Sequence, residues 1–131
     1  MRLKLLGILI FLGFAFFHIP NNLALALNSW KDNRISSKDA VAGYPQLASG
    51  KNSYGVVWVD DRNSNADLYY AQVNLAGHKV GKETRITNNL VHDLTPSLVW
   101  NGTDYGVFWS YDKSQIYFTR VAENGTKLVG D

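Results

Sequence analysis

Oxygen-bearing side chains are concentrated in one short polar segment, residues 60–67, directly after an apolar run. From Asp61 onward an oxygen ligand is available at every second position, at Asp61, Asn63, Asn65 and Asp67. Hard cations such as Ca²⁺ prefer clustered carboxylate and amide oxygens, so these four residues are candidate metal ligands. The segment lacks the glycine and the distal glutamate of an EF-hand loop, and its residue types are also those of an ordinary polar turn. The pattern therefore leaves a Ca²⁺ site and a simple hairpin loop as alternatives.

A second candidate site combines charge with aromatic rings. The dipeptides Asp61-Arg62 and Asp112-Lys113 each follow a tryptophan at the same distance. A polar rim beside an aromatic ring suits sugar binding through stacking and hydrogen bonds, whereas an ion pair beside a core tryptophan is the structural alternative. The candidate ligand-binding residues, which we expect on one loop face, are Asp60, Asp61, Arg62, His92, Asp93, Tyr111, Asp112 and Lys113.

Catalytic machinery is not indicated. The absence of cysteine excludes thiol nucleophiles, disulfides and cysteine-ligated zinc. The sequence contains neither a glycine-rich phosphate loop nor a G-x-S-x-G motif. His78 and His92 are scattered, and the pattern places no carboxylate pair for glycoside hydrolysis. We therefore expect a non-catalytic protein with no cofactor apart from the Ca²⁺ considered above.

These residues belong to an internal repeat. Residues 44–80 align with residues 95–128, and after Asp112 the second copy is three residues shorter. The matched pairs, at a constant offset of 51, include Pro45 with Pro96, Leu47 with Leu98, Tyr54 with Tyr105 and Trp58 with Trp109. A period near 50 residues is typical of repeat architectures.

Each copy predicts short antiparallel strands separated by turn residues. In the first copy the strands are residues 45–49, 54–59, 68–73 and 83–87, and in the second they are residues 96–100, 105–110 and 116–121. The sequence after the leader has no convincing helical period. Four antiparallel strands in about 50 residues describe a β-propeller blade, so we predict an all-β fold of two four-stranded blades.

The repeat carries the pattern P-x-L, N-G-x-x-Y-G-V-x-W, D-x-R, I-Y-F and G-x-x-V. On these motifs, residues 31–131 resemble the blades of secreted bacterial β-propellers of the sialidase-like and TolB-like groups. The resemblance implies blade architecture and does not specify an activity. The Asp box of sialidase-type proteins is retained only in part, at Asp104, Gly106 and Trp109, and their substrate-binding arginine cluster has no counterpart.

Residues 1–26 have the layout of a secretory signal peptide. A basic start precedes an apolar run, residues 5–17, and Ala24-Leu25-Ala26 offers a cleavage site. The run has about 13 residues, fewer than the roughly 20 that span a bilayer, so cleavage is favoured over a retained anchor. We therefore expect a secreted or periplasmic protein without a stable membrane anchor.

The formal net charge of +2 comes from Arg2 and Lys4 in this leader. The remainder has 11 basic and 11 acidic residues, which argues against nucleic-acid binding by bulk charge. The predicted organisation is a signal peptide at 1–26 and two propeller-type repeats at 27–131, divided into a leading fourth strand with its connection at 31–44, a first repeat at 45–94 and a second repeat without its last strand at 95–131.

Two blades cannot close a ring, because β-propellers have four to eight. The chain is therefore either a protomer that self-associates to complete a propeller or a fragment of a longer one. Apolar flanks such as Val56, Leu68, Val107 and Ile116 are expected to lack a neighbouring sheet. The leading strand, residues 33–37, is expected to pair with the third strand of the second repeat in another chain.

The function expected from these patterns is that of an exported, non-catalytic β-propeller-type module. Such a module would bind a glycan or protein partner through loops on one face. The alternative is a fragment of a sialidase-like or other propeller enzyme, with its catalytic residues in blades outside this sequence.

Overall fold

The computed structural model describes residues 32–128, and the predicted signal peptide lies outside the described residues. Seven strands are formed: β1 (Ala42–Ser49), β2 (Ser53–Asp60), β3 (Asp67–Asn74), β4 (Lys79–Arg85), β5 (Asp93–Trp100), β6 (Tyr105–Tyr111) and β7 (Gln115–Val121). β1 to β4 pair in chain order as one antiparallel sheet, sheet 1, and β5 to β7 pair as a second, sheet 2.

The prediction of an all-β fold is confirmed. Residues 32–128 form two antiparallel sheets of four and three strands, with no helix and no closed sheet. In the same part of the chain, no helix is long and apolar enough to cross a membrane. β2 and β6, the apolar runs of the two repeats, each lie between two neighbouring strands, which is the position that suits strands buried on both faces.

The first strand of each sheet contains an irregularity at its proline. β1 and β5 begin three residues before the predicted starts at Pro45 and Pro96. The register shifts around both prolines, and the preceding residues, Tyr44 and Thr95, have φ values of 53° and 48°. Because proline has no N–H to donate, a break in the ladder is a position that tolerates it. The two repeats therefore share the same backbone conformation at this position as well as the same sequence pattern.

The outer strands differ more from prediction. β4 begins at Lys79 rather than Glu83 and ends at Arg85, although the Ile86 amide still donates to the Leu68 carbonyl of β3 at 2.7 Å. Residues 33–37, predicted as a strand, form none, and no described strand pairs with them.

The two faces of each sheet are chemically distinct. We call the face that carries Trp58 in sheet 1, or Trp109 in sheet 2, the Trp face, and the other the reverse face. The core lies where the reverse face of sheet 1 packs on the Trp face of sheet 2. Its buried side chains are Val57, Val59, Leu68 and Tyr70 from the first and Tyr105, Val107, Trp109 and Val121 from the second. The Trp face of sheet 2 therefore packs on another sheet, whereas among residues 32–128 the equivalent Trp face of sheet 1 does not.

This packing corrects one expectation about the apolar flanks. Leu68 and Val107 were expected to lack a neighbouring sheet, but both are fully buried between the two sheets. Ile116 is exposed as predicted, and Val56 is half-buried and packs, as Ile35 does, on the cluster around Trp58. The Trp face of sheet 1 forms a smaller cluster centred on Trp58, with Tyr69 and Ala71.

Candidate functional site

Two loops meet at one end of sheet 1, namely the β2–β3 loop, residues 61–66, and the β4–β5 connection, residues 86–92. The Asp93 amide donates to the Ala66 carbonyl at 2.8 Å, and the Ala66 amide donates to His92 Nδ1 at 3.1 Å. The candidate residues of both segments therefore lie at the same end of the fold.

Asp60 and Arg62 form an ion pair beside Trp58. Arg62 donates to both oxygens of the buried Asp60 carboxylate, at 2.8 and 2.5 Å, and the Trp58 indole N–H donates to it at 3.0 Å. Burial by itself raises the pKa of Asp60, but the hydrogen bonds from Arg62 and Trp58 outweigh it and hold this pKa below its usual value. The pair holds a core tryptophan in place, and both groups are engaged within the sheet.

Asp93 performs the same task in sheet 2 from a different strand. The Trp109 indole N–H donates to Asp93 at 2.7 Å. Ala42 pairs with Asp60 across β1 and β2, whereas at the equivalent positions Asp93 pairs with Tyr111 across β5 and β6. In each sheet one carboxylate accepts a hydrogen bond from the tryptophan indole. In sheet 1 this carboxylate is on the second strand, β2, and in sheet 2 it is on the first strand, β5. The exchange leaves a tyrosine, Tyr111, where sheet 1 has an aspartate.

The remaining charged candidates are exposed around these loops. Asp61 accepts a hydrogen bond from the Val41 amide at 2.9 Å, and the Asp112 amide donates to the His92 carbonyl at 3.1 Å. Asp112 and Lys113 have φ values of 44° and 60°, which place them in the left-handed region at the tip of the β6–β7 turn. These side chains form a polar rim and do not converge on one point.

The four predicted Ca²⁺ ligands are engaged with protein groups, and two of them contact each other, because Asn65 donates to Asp67 at 3.3 Å. Asn63 donates to the Tyr69 hydroxyl, and Asn65 donates to two carbonyls of the β4–β5 connection at 3.0 and 3.1 Å. Arg85 donates to Asp67 at 2.5 Å. Burial raises the pKa of Asp67, although the hydrogen bond from Arg85 acts in the opposite direction. Among residues 32–128, no three or more His, Cys, Asp or Glu side chains are grouped to hold a metal ion.

The Ca²⁺ site stays a prediction with a direct test. Calorimetric titration with Ca²⁺ is expected to give heat that Asp61→Ala abolishes, because Asp61 begins the alternating oxygen pattern. Asp112→Ala is the matched control, because the shorter loop of the second repeat lacks that pattern. Equal heats from the wild type and Asp61→Ala, or no heat at all, would remove the site.

An aromatic pocket of about 450 Å³ opens beside the same loops. The rings of Trp109, Tyr117 and Tyr111 follow one another along it, with centroids 5.9 Å apart for the first pair and 5.1 Å apart for the second. Asn88 and Lys127 add an amide and an ammonium group to the lining. The remaining walls are Ile86, Thr87 and Asn89. Ring faces and polar groups are thus combined in one concave site.

The equivalent place in sheet 1 is occupied by a cation. A tryptophan–tyrosine stack of the same kind is present there, with centroids 6.2 Å apart. The Arg62 guanidinium lies 4.1 Å from the centroid of the Tyr69 ring and is held by Glu83 at 2.7 Å. In sheet 2 the position of Arg62 is taken by the exposed Lys113, and Tyr111 packs beside the tyrosine ring instead.

The candidate residues derived from the sequence include Tyr111 but not its neighbours in the pocket. Asn88 and Lys127 carry no motif of their own, and Tyr117 belongs to the I-Y-F part of the repeat pattern, which indicates a strand and not a binding site. The available signal was the difference between the two repeats, above all the replacement of Asp60 by Tyr111 at equivalent positions. Residues that recur support the same structure in both sheets, whereas residues that change are the better candidates for binding.

The chain matches no family model, no curated protein and no solved structure. Its function is therefore inferred from the geometry of the aromatic pocket and the loops around it.

Proposed function

We propose that the protein is an exported, non-catalytic β-propeller-type module that binds a glycan in the aromatic pocket. The observation that carries the proposal is the run of rings from the buried Trp109 to the accessible Tyr117 and Tyr111, at a position that Arg62 covers in sheet 1. Export is supported by the leader pattern of residues 1–26.

Aromatic rings of this kind suit sugars because a pyranose has an apolar face of C–H groups. That face packs on the electron-rich face of a tyrosine or tryptophan ring, while the sugar hydroxyls stay available for hydrogen bonds. Tyr117 is exposed and Tyr111 is half-buried, so both rings are accessible from solvent.

The polar part of the lining complements sugar hydroxyls. Asn88 is exposed and offers both a donor and an acceptor, and the Lys127 side chain adds donors. A volume of about 450 Å³ lies within the usual range for sites that enclose small ligands. A concave pocket of this size favours a short glycan over the flatter surface of a protein partner.

The assignment of the sheets as propeller blades is supported by how they stack. The reverse face of sheet 1 packs on the Trp face of sheet 2, so two equivalent units meet through non-equivalent faces. Successive blades of a propeller are related in this way, because each blade repeats its neighbour by rotation about one axis. The motif resemblance of residues 31–131 points to the same architecture.

A glycan array followed by calorimetric titration with the strongest array hit tests this function. Tyr111→Ala and Tyr117→Ala are each expected to weaken binding about tenfold, because each removes a stacking surface worth roughly 1.4 kcal/mol. Tyr111→Phe should retain most of the affinity, since the ring remains.

Lys51→Ala is the matched control, because Lys51 is exposed in the β1–β2 turn at the opposite end of the strands. Its affinity should equal that of the wild type. Failure of the wild type to bind any glycan, or binding that survives both alanine substitutions in the pocket, would contradict the proposal.

A further inference from the structure

We propose that the reverse face of sheet 2 is a docking surface for a second copy of this chain, which covers it with the Trp face of its own sheet 1. The contact would repeat, between copies, the interface that already joins the two sheets within one copy. This inference concerns a different surface from the aromatic pocket and does not rest on glycan binding.

The reverse faces of the two sheets have equivalent residues and opposite exposure. In sheet 1, Leu68 is 0% exposed and Tyr70 is 1% exposed, because sheet 2 covers them. At the equivalent positions of sheet 2, Ile116 is 75% exposed and Phe118 is 46% exposed. An apolar surface of this kind on the described part of the chain is of the type that marks an interaction site. In sheet 1 the equivalent surface, the reverse face, is covered by the Trp face of sheet 2.

The complementary Trp face of sheet 1 is also incompletely covered. Leu47 is 62% exposed, whereas its equivalent in sheet 2, Leu98, packs against the core between the sheets. Ile35 packs on Trp58 but leaves a cavity of about 360 Å³ between residues 34–36 and the sheet. Each copy therefore exposes both of the surfaces that this contact needs, the reverse face of sheet 2 and the Trp face of sheet 1.

A specific fit supports this pairing of faces. Within the chain, the Tyr105 ring lies over Gly55, so close that a Cβ on Gly55 would be 2.7 Å from it. The repeat places Tyr54 at the position of Tyr105 and Gly106 at the position of Gly55. Tyr54 of a second copy would approach Gly106 in the same way, with the Phe118 ring, which now lies 3.0 Å from a Cβ placed there and is 46% exposed, moving aside.

The edge of β7 offers a backbone continuation of the same contact. In sheet 1 the chain after β4 runs along β3, where the Ile86 amide donates to the Leu68 carbonyl at 2.7 Å and the Leu68 amide donates to the Thr87 hydroxyl at 3.0 Å. At the end of β7, Val121 bridges to Lys127 and the Arg120 carbonyl accepts from the Leu128 amide at 2.8 Å, and no strand among the described residues pairs with β7 on that side.

Residues 33–36 of a second copy match that edge. The repeat aligns Ile35 with Ile86 and Ser36 with Thr87, so the hydroxyl acceptor is retained. The equivalent register sets the Ile35 amide against the Ile116 carbonyl and the Ile116 amide against the Ser36 hydroxyl. Because the two docking faces differ, the contact is head-to-tail, and successive copies form a ring or an open chain.

Sedimentation of the exported protein over a wide concentration range tests the proposal. The wild type is expected to self-associate. Ile116→Glu and Leu47→Glu, one on each face, should each weaken association at least about tenfold, because docking would bury an unpaired carboxylate. Both residues are exposed in a single copy, so both variants should keep the wild-type circular dichroism spectrum. Leu90→Glu is the matched control, since Leu90 is 99% exposed in the β4–β5 connection and should associate as the wild type does.

Mixing the two defective variants identifies the geometry. Each retains one intact face, so an equimolar mixture of Ile116→Glu and Leu47→Glu should form a one-to-one heterodimer, although neither associates alone. A wild type that stays monomeric at every concentration would overturn the proposal, because a second copy would then not be the partner of this surface. Normal self-association of Leu47→Glu would also overturn it, because a symmetric contact through the reverse face alone would then explain the assembly.

Discussion

Replacing Trp109 with alanine is expected to lower the free energy of unfolding by about 3–5 kcal/mol, the range measured for large buried aromatic residues. Trp109 is buried in the cluster between the two sheets, where the opposing wall is the reverse face of sheet 1. Its removal leaves a cavity that a rigid sheet pair closes poorly. It also removes the indole N–H that donates to the buried Asp93 at 2.7 Å. Chemical denaturation of the dilute protein measures the loss.

Two variants separate the contributions. Trp109→Phe keeps a ring in the core but removes the donor to Asp93, so its loss should be clearly smaller than that of Trp109→Ala. Trp58→Ala removes an equally buried ring whose cover is the segment around Ile35 rather than a second sheet, and we expect an intermediate loss. An unchanged denaturation midpoint for Trp109→Ala would contradict the placement of Trp109 in the core.

The strands were predictable because their information is local. Alternation of side chains and turn residues defines each strand, and the second repeat provides an independent copy of each signal. The exceptions depend on neighbours that one repeat does not specify. β4 is shifted because its hydrogen bonds are set by β3, and residues 33–37 form no strand and pair with no described strand.

The packing of faces was not predictable from the apolar runs. β2 is apolar on both sides, so its sequence does not say which face meets the other sheet. The exposure of Ile116 and the burial of its equivalent, Leu68, follow only from the stacking order. For this reason the repeat predicted the two sheets correctly, whereas the expectation that Leu68 and Val107 lack a neighbouring sheet was wrong.

The binding candidates were predicted only in part for a related reason. Asp60 and Arg62 have the polar character of a binding rim, but the structure uses both to hold Trp58 and to cover Tyr69. Burial distinguishes a structural ion pair from an exposed binding residue, and burial cannot be predicted from the sequence alone. Tyr111 was a candidate because it adds an aromatic ring to the charged loop face, whereas its place in the pocket comes from packing beside Tyr117.

Replacing Gly55 with alanine is the second substitution for which we expect a large loss of stability, about 1–3 kcal/mol from overpacking. A Cβ at this position would lie 2.7 Å from the nearest Tyr105 ring atom, closer than real Cβ atoms approach other heavy atoms. Tyr105 cannot easily withdraw, because it is fully buried and packs against Tyr70 and Trp100 at centroid distances of 5.7 and 4.8 Å. Thermal or urea denaturation of dilute protein should show the loss, and wild-type stability would mean that the sheets do not pack this closely.

Gly106→Ala is the control that the repeat itself provides. A Cβ there would be 3.0 Å from a Phe118 ring atom and 3.3 Å from Val99, but both side chains are partly exposed and have room to move. The loss of stability in a single copy should therefore be clearly smaller than that of Gly55→Ala. If a second copy places Tyr54 over Gly106 as Tyr105 lies over Gly55, the same methyl group should weaken self-association while leaving the monomer intact. The Gly55→Ala substitution should therefore change mainly the stability of a single copy, whereas Gly106→Ala should change mainly the association between copies.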